Sequence, residues 1–176
     1  TLCLQLDVSN GKLSQIIFNV FRKWEKSLTP FRLRFSNLTD KCCPALSSML
    51  SMGESHLREL DLGYNNITNN GVKELVEGLS HPSSRLKCLR LQGCRVSAEA
   101  CKYLSAAMKR APKLVELDLS CNDIGDEGLQ NLSCGLRDPS CRLEGLSIDK
   151  KNHQICFIDL LLVINEVHAP LLLQNT

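Results

Sequence analysis

Apolar residues along the chain follow two alternating periods. Short stretches with leucines two and three apart give way to stretches where apolar residues recur at helical spacing. Leu57, Leu60, Leu62, Asn65 and Ile67 define a frame L-x-x-L-x-L-x-x-N-x-I, which returns at Leu86, Leu89, Leu91, Cys94 and Val96 and again at Leu114, Leu117, Leu119, Asn122 and Ile124. A looser copy stands at Leu28, Phe31, Leu33, Ser36 and Leu38, and another at Leu143, Leu146 and Ile148, with Lys151 in the Asn position. Behind each frame, Leu46, Leu75, Leu104 and Leu132 form one column, and Leu50, Leu79, Met108 and Leu136 form a second four residues later. An i, i+4 pair lies on one helix face, so each unit reads as a short strand, a turn and a helix.

Copies start near 28, 57, 86, 114 and 143, and register at a fixed period of this length is the mark of a solenoid. The pattern resembles a leucine-rich repeat. It implies an α/β fold: a short curved horseshoe with parallel strands on the concave face and helices on the convex one. Asn65 and Asn122 are placed to bond the backbone where the chain leaves the strand, and Cys94 fits the same buried column. The units also alternate. Those starting at 57 and 114 carry Asn in the turn, Gly71 or Gly128 at the helix start and Pro82 or Pro139 in the loop; those at 28 and 86 carry Ser36 or Cys94, then Cys43 or Cys101. This alternation resembles the ribonuclease-inhibitor type of repeat. "LRELDLGYNNITNNGVKELVEGL" followed by "LKCLRLQGCRVSAEACKYLSAAM" is similar to the C-terminal repeats of NLR receptors of the NLRP (pyrin-type) branch.

The expected organisation is one repeat domain over 1–176. Residues 1–27 form a degenerate first repeat, in which Leu2 and Leu4 stand 29 residues before Phe31 and Leu33 and Leu13, Ile16, Ile17, Val20, Phe21 and Trp24 make a helical stripe. Residues 152–176 form a C-terminal capping helix, over Ile155 to His168, and a tail. The missing leading Leu and the lack of a polar cap at the start suggest a domain cut from a longer protein. "NEVHAPLLL" is similar to the end of NLRP repeat domains and suggests the array's natural terminus.

Composition sharpens this reading. Of 176 residues, 32 are Leu and 10 are Cys, while aromatics reach only 5%. A net charge of +2 and a pI near 8.0 give no general attraction to nucleic acid or an acidic membrane, so neither is expected as a partner. The longest apolar stretch, Ile155 to Ile164, is too short to span a bilayer and contains Asp159. No cysteine pair has C-x-x-C spacing, which gives zinc little support. Because cysteines recur in repeat columns, free thiols and a cytoplasmic location are expected. Three glycosylation sequons, at Asn37, Asn66 and Asn131, carry little weight against that.

Catalysis finds few candidates. Gly125 and Gly128 lack the Lys-Ser/Thr of a phosphate-binding loop, and His56, His81, His153 and His168 are scattered. Cys88 and Cys121 are the thiols expected nearest the concave face. Strand alternation instead turns three columns outward: Arg32, Asp61, Arg90, Asp118, Ser147; Arg34, Gly63, Gln92, Ser120, Asp149; and Pro30, Glu59, Cys88, Glu116, Gly145. Opposite charges on strands about 4.8 Å apart favour a self-satisfied Arg32–Asp61–Arg90–Asp118 ladder over a waiting ligand site. Glu59 and Glu116 are expected to be less self-paired. Phe35, Glu59, Asp61, Tyr64, Arg90, Glu116 and Asp118 are therefore the candidate protein contacts.

The resemblance implies a non-catalytic protein-interaction, sensing or autoregulatory domain of a cytosolic NLR immune receptor, with inflammasome signalling as output. Partners would be other domains of the same receptor or regulatory proteins. No cofactor is expected in this segment; ATP is implied only for an upstream NACHT module. The alternatives are a ribonuclease-inhibitor-like protein inhibitor and, third, a thiol-dependent enzyme.

Overall fold

A strand of two or three residues is stable only between neighbours, and the repeat supplies a neighbour at fixed spacing. The computed structural model describes residues 2–3, 19, 30–53 and 55–149, and six such strands form one parallel sheet in chain order. They are β1 (Leu2–Cys3), β2 (Phe31–Arg32), β3 (Glu59–Asp61), β4 (Cys88–Arg90), β5 (Glu116–Asp118) and β6 (Gly145–Ser147). Leu2 pairs with Phe31, Phe31 with Leu60, Leu60 with Leu89, Leu89 with Leu117 and Leu117 with Leu146, so each strand is displaced by one repeat.

Parallel neighbours need a crossover, and helices provide it. A 3-10 turn (Asp40–Cys42) leads into α1 (Cys43–Ser51), followed by α2 (Asn69–Leu79), α3 (Ala98–Arg110) and α4 (Gly125–Leu136). Helices are wider than strands, so the stack curves with the sheet on its inner, concave side. The stripe from Leu13 to Trp24 and the expected cap over 152–176 lie outside the described residues.

The core is the set of repeat columns. Leu60, Leu89, Leu117 and Leu146 from the strands and Leu46, Leu75, Leu104 and Leu132 from the helices are each at most 1% exposed. Each buried leucine contributes about 1.5–3 kcal/mol relative to exposure. Cys43, Cys94 and Cys101 fill smaller sites in the same core. Close approach of the helices depends on Gly78, where an added methyl would fall 2.7 Å from the Ser47 Cα of α1. Thr68 caps α2, its hydroxyl accepting from the Asn70 amide at 3.3 Å.

Candidate functional site: the concave face

Inside each turn, a small polar residue ties one repeat to the one before. The Asn65 side-chain amide donates to the carbonyls of Leu33 and Leu62, each at 2.7 Å, and its oxygen accepts from the Ser36 and Leu38 amides, each at 3.0 Å. Asn122 repeats the pattern with the Leu91 and Leu119 carbonyls (2.8 and 3.0 Å) and the Val96 amide (3.2 Å). Cys94 takes the same place, its thiol donating to the Leu62 carbonyl at 3.4 Å and its sulfur accepting from the Asn65 and Ile67 backbone amides. These bonds fix where the strands end and hence what the concave face displays.

The ion pairs differ from the expected ladder. Arg90 lies between two glutamates, 3.4 Å from Glu59 and 3.5 Å from Glu116, and Glu59 also meets Arg32 at 3.8 Å. Glu59 and Glu116 are thus paired rather than free, and Asp118 is not in an ion pair among the described residues. The reason is side-chain length. An aspartate bonds most easily to its own chain two residues on. Asp61 accepts from the Gly63 amide and Asp118 from the Ser120 amide, both at 3.0 Å. The longer glutamates span the gap to a guanidinium. Asp61 is also only 3% exposed, which removes it as a surface contact; its second oxygen holds Arg34 at 3.4 Å.

Arg34 connects the charges to a pair of rings. Phe35 and Tyr64 stack with centroids 4.6 Å apart and planes 6° from parallel, and among the described residues they are the large apolar side chains most open to solvent, at 62% and 36%. The Arg34 guanidinium lies 5.7 Å from one centroid and 5.0 Å from the other, and it donates to the Gln92 side-chain oxygen at 2.7 Å. Phe35, Tyr64, Gly93 and Cys121 occupy one repeat column, and all four have φ between +52° and +59°. Only glycine takes that conformation without strain. Gly93 has a second role, because a methyl there would come within 2.6 Å of the Tyr64 ring. The ring lies across this gap, and its hydroxyl reaches the exposed Cys121 thiol at 3.9 Å.

At the other end of the face the charged columns run out. Ser147 stands where an arginine would continue the alternation, and Gly145 follows Glu116. A cavity of about 320 Å³ opens there, lined by Cys88, Arg90, Glu116, Asp118, Glu144, Gly145 and Ser147 among others.

Cys42, Cys43, Cys88, Cys94, Cys101, Cys121, Cys134 and Cys141 are free thiols, six of them buried. Burial pushes the Cys88 thiol up to about 12, and Cys101 likewise to about 12, so neither supplies thiolate near neutrality. Cys94 and Cys141 are also raised by burial, and Cys43 by its hydrogen bond with Cys42 and then by burial. His56 and His81 are exposed in separate loops. Among the described residues, no group of three metal-ligating side chains converges and no helix is long and apolar enough to cross a membrane.

The sequence-chosen residues are therefore brought together in two groups, Glu59–Arg90–Glu116 and Phe35–Tyr64, with Asp61 beneath and Asp118 beside the cavity. Arg34, which holds Asp61 and lies over both rings, was not among them. Its signal was the repeat register: Arg34 precedes Phe35 and lies one strand from Gly63, where the absence of a side chain leaves room for a guanidinium.

Comparison with known proteins supports the repeat assignment. A family model described as "Leucine Rich repeat" matches residues 54–76 and 110–133. The chain is 47% identical over 117 residues (66% of this chain, 11% of the relative) to NACHT, LRR and PYD domains-containing protein 12 of Homo sapiens. It is 34% identical over 149 residues (82% and 13%) to protein 14 of the same series, also human. Ribonuclease inhibitor of Sus scrofa is 40% identical over 119 residues (68% and 26%). The chain thus spans between about a tenth and a quarter of these relatives. Among solved structures, Leiomodin-1 Actin-Binding Site 2 superposes with a TM-score of 0.69 at 10% identity, covering 85% of this chain and 84% of that one, a likeness of fold alone. The chain belongs to the leucine-rich-repeat family, with repeats similar to those of NACHT, LRR and PYD domains-containing proteins.

Proposed function

We propose that residues 1–176 form a single protein-interaction domain of a cytosolic NLRP-type receptor, acting in sensing or autoregulation within inflammasome signalling and without catalysis of its own. The observation that carries the proposal is the Phe35–Tyr64 stack. Two exposed rings are held at left-handed backbone positions that cost about 1–2 kcal/mol each, where glycine would serve the fold better. Stacking and the Arg34 cation–π contact return only about 0.5–1.5 kcal/mol each. Rings beside charged groups on a rigid face suit the contact region of a protein interface. The Arg90–glutamate cluster and the adjoining cavity extend that face. The partner is another domain of the same receptor or a regulatory protein. ATP chemistry belongs to the NACHT module that the resemblance implies elsewhere in such a receptor.

The test replaces both rings by glycine in the parent receptor, Phe35→Gly with Tyr64→Gly. Expected is an unchanged or slightly higher Tm of the domain together with altered resting signalling or partner capture. Unaltered signalling and capture would refute the role of this face. Similarity to ribonuclease inhibitor favours a second reading, which a ribonuclease assay separates: potent inhibition by the chain would put inhibition first. A thiol-dependent activity ranks last, since it needs an accessible low-pKa thiol and five buried thiols are shifted the other way.

A further inference from the structure

The near-neutral total charge conceals a division between the two edges of the solenoid. All helix-to-strand connections meet at the edge where the strands begin, and all strand-to-helix turns meet at the opposite edge. On the first edge, residues 55–58, 80–87, 109–115 and 137–144 contain eight Lys or Arg and two acidic residues, Asp138 and Glu144. On the second, the turns at 33–41, 62–69, 91–99 and 119–127 contain five acidic residues and three basic ones, Arg34, Lys41 and Arg95.

Most cations on the first edge are unused by the fold. Lys109 pairs with Asp138 at 3.8 Å and Arg58 bonds the Leu57 carbonyl at 3.4 Å. Arg85, Lys87, Arg110, Lys113, Arg137 and Arg142 are exposed and make no ion pair among the described residues. Arg110 and Arg137 complement helix C-termini, which accounts for part of their presence. Arg85, Lys87, Lys113 and Arg142 lie in the loops and have no such explanation. Three successive loops carry them at the repeat spacing, so the free charge forms a line rather than a pocket.

We propose that this edge docks an acidic segment of a protein partner, laid across the loops at 80–87, 111–115 and 137–144. A linear array of separated cations matches carboxylates carried along a peptide. Among the described residues the edge has no exposed Phe, Tyr or Trp to stack on bases, because Phe35 and Tyr64 lie at the opposite ends of the strands; His56 and His81 are the exposed rings of these loops. Among the described residues it has no exposed large apolar side chain to anchor it in a membrane, and Asp138 and Glu144 interrupt the stripe against a continuous polyphosphate. The proposal stands apart from the concave-face reading and uses different residues.

Fluorescence anisotropy on the 176-residue chain tests it, with a labelled 20-residue Asp/Glu-rich peptide, a 20-nucleotide single-stranded RNA, a 20-base-pair RNA duplex and phosphatidylserine vesicles as probes. The peptide should bind at low ionic strength and weaken by about tenfold or more at high salt. Lys87→Glu with Lys113→Glu and Arg142→Glu should weaken peptide binding at least about tenfold, and the three Gln replacements should do so by less, with circular dichroism and Tm unchanged. Asp123→Lys with Glu127→Lys, on the other edge, should leave peptide binding intact, as should Phe35→Gly with Tyr64→Gly. No peptide binding, or binding indifferent to the loop reversals, overturns the proposal. Tighter binding of either RNA or of vesicles at equal ionic strength assigns the edge to another class of partner and overturns it too. Self-association abolished by reversal of either edge makes a second copy the occupant, with the same consequence.

Discussion

Tyr64 and Asn65 are adjacent in sequence and opposite in situation. Asn65 is 4% exposed and bonds five backbone groups on two repeats, while Tyr64 stands at the surface in a left-handed conformation. The same pairing recurs at Phe35 and Ser36, at Gly93 and Cys94, and at Cys121 and Asn122. Among the described residues the inner column holds small residues with a donor or acceptor: Ser, Asn, Cys, Asn. The outer column holds Phe, Tyr, Gly and Cys, which share no size or polarity. Buried backbone groups dictate the inner column, since each must be bonded. Nothing in the fold dictates the outer column, and three of its four members are strained there. Repetition therefore marks what the lattice needs, and departure from repetition marks the surface available for recognition.

The largest effect that would test this division is at the inner column. Asn65→Ala removes the side-chain partner of five backbone groups and should destabilise the chain by about 3 kcal/mol, against about 1 kcal/mol for Cys94→Ala. Urea denaturation reads both, and equal losses would show that the two turns are held by packing rather than by the asparagine. Next is the helix layer. Gly78→Ala forces a methyl against the Ser47 backbone and should destabilise by about 2 kcal/mol in the same assay, whereas Ala at exposed, helical Lys73 should change stability by less than about 0.5 kcal/mol.

The buried thiols make the interior sensitive to alkali. Cys88 and Cys101 keep their protons up to about 12 in the folded chain, whereas the ordinary value is 9.0. The unfolded chain releases those protons first, so their stabilising contribution is complete below pH 9 and declines as pH rises toward 12. The decline is at most about 1.4 kcal/mol per pH unit for each thiol. Thermal melts from pH 8 to 11 should show a falling Tm, and Cys101→Ala should flatten the slope. The smallest effect belongs to the face itself. Arg90→Ala removes two partly exposed ion pairs and should alter stability by about 1 kcal/mol or less. A loss comparable to that of Asn65→Ala would make the charged cluster part of the lattice and undo the contrast.

Much of the lattice was legible because it repeats. Strand register, the leucine columns, the turn asparagines and the buried cysteines all follow from residues recurring at 28 or 29 positions. The site was legible only as a set of columns. The Arg32–Asp61–Arg90–Asp118 ladder is a fair inference from alternation, yet aspartate and glutamate are interchangeable to a charge pattern and not to geometry. One methylene decides that Asp61 and Asp118 turn back to their own chain while Glu59 and Glu116 reach across to Arg90. Likewise, Phe35 and Tyr64 could be placed on neighbouring repeats from spacing alone. Their stacking depended on the left-handed backbone, to which only Gly93 in that column offered a clue.

The fold follows from the residue pattern alone, because burying a leucine column requires each repeat to lie on the next in a single register. Which charges pair, which ring is seated over Gly93, and that cations without ion pairs gather on one edge emerged in three dimensions. Those outcomes depend on side-chain reach and on residues from distant repeats meeting at one edge. The period of the chain carries the first kind of information and not the second.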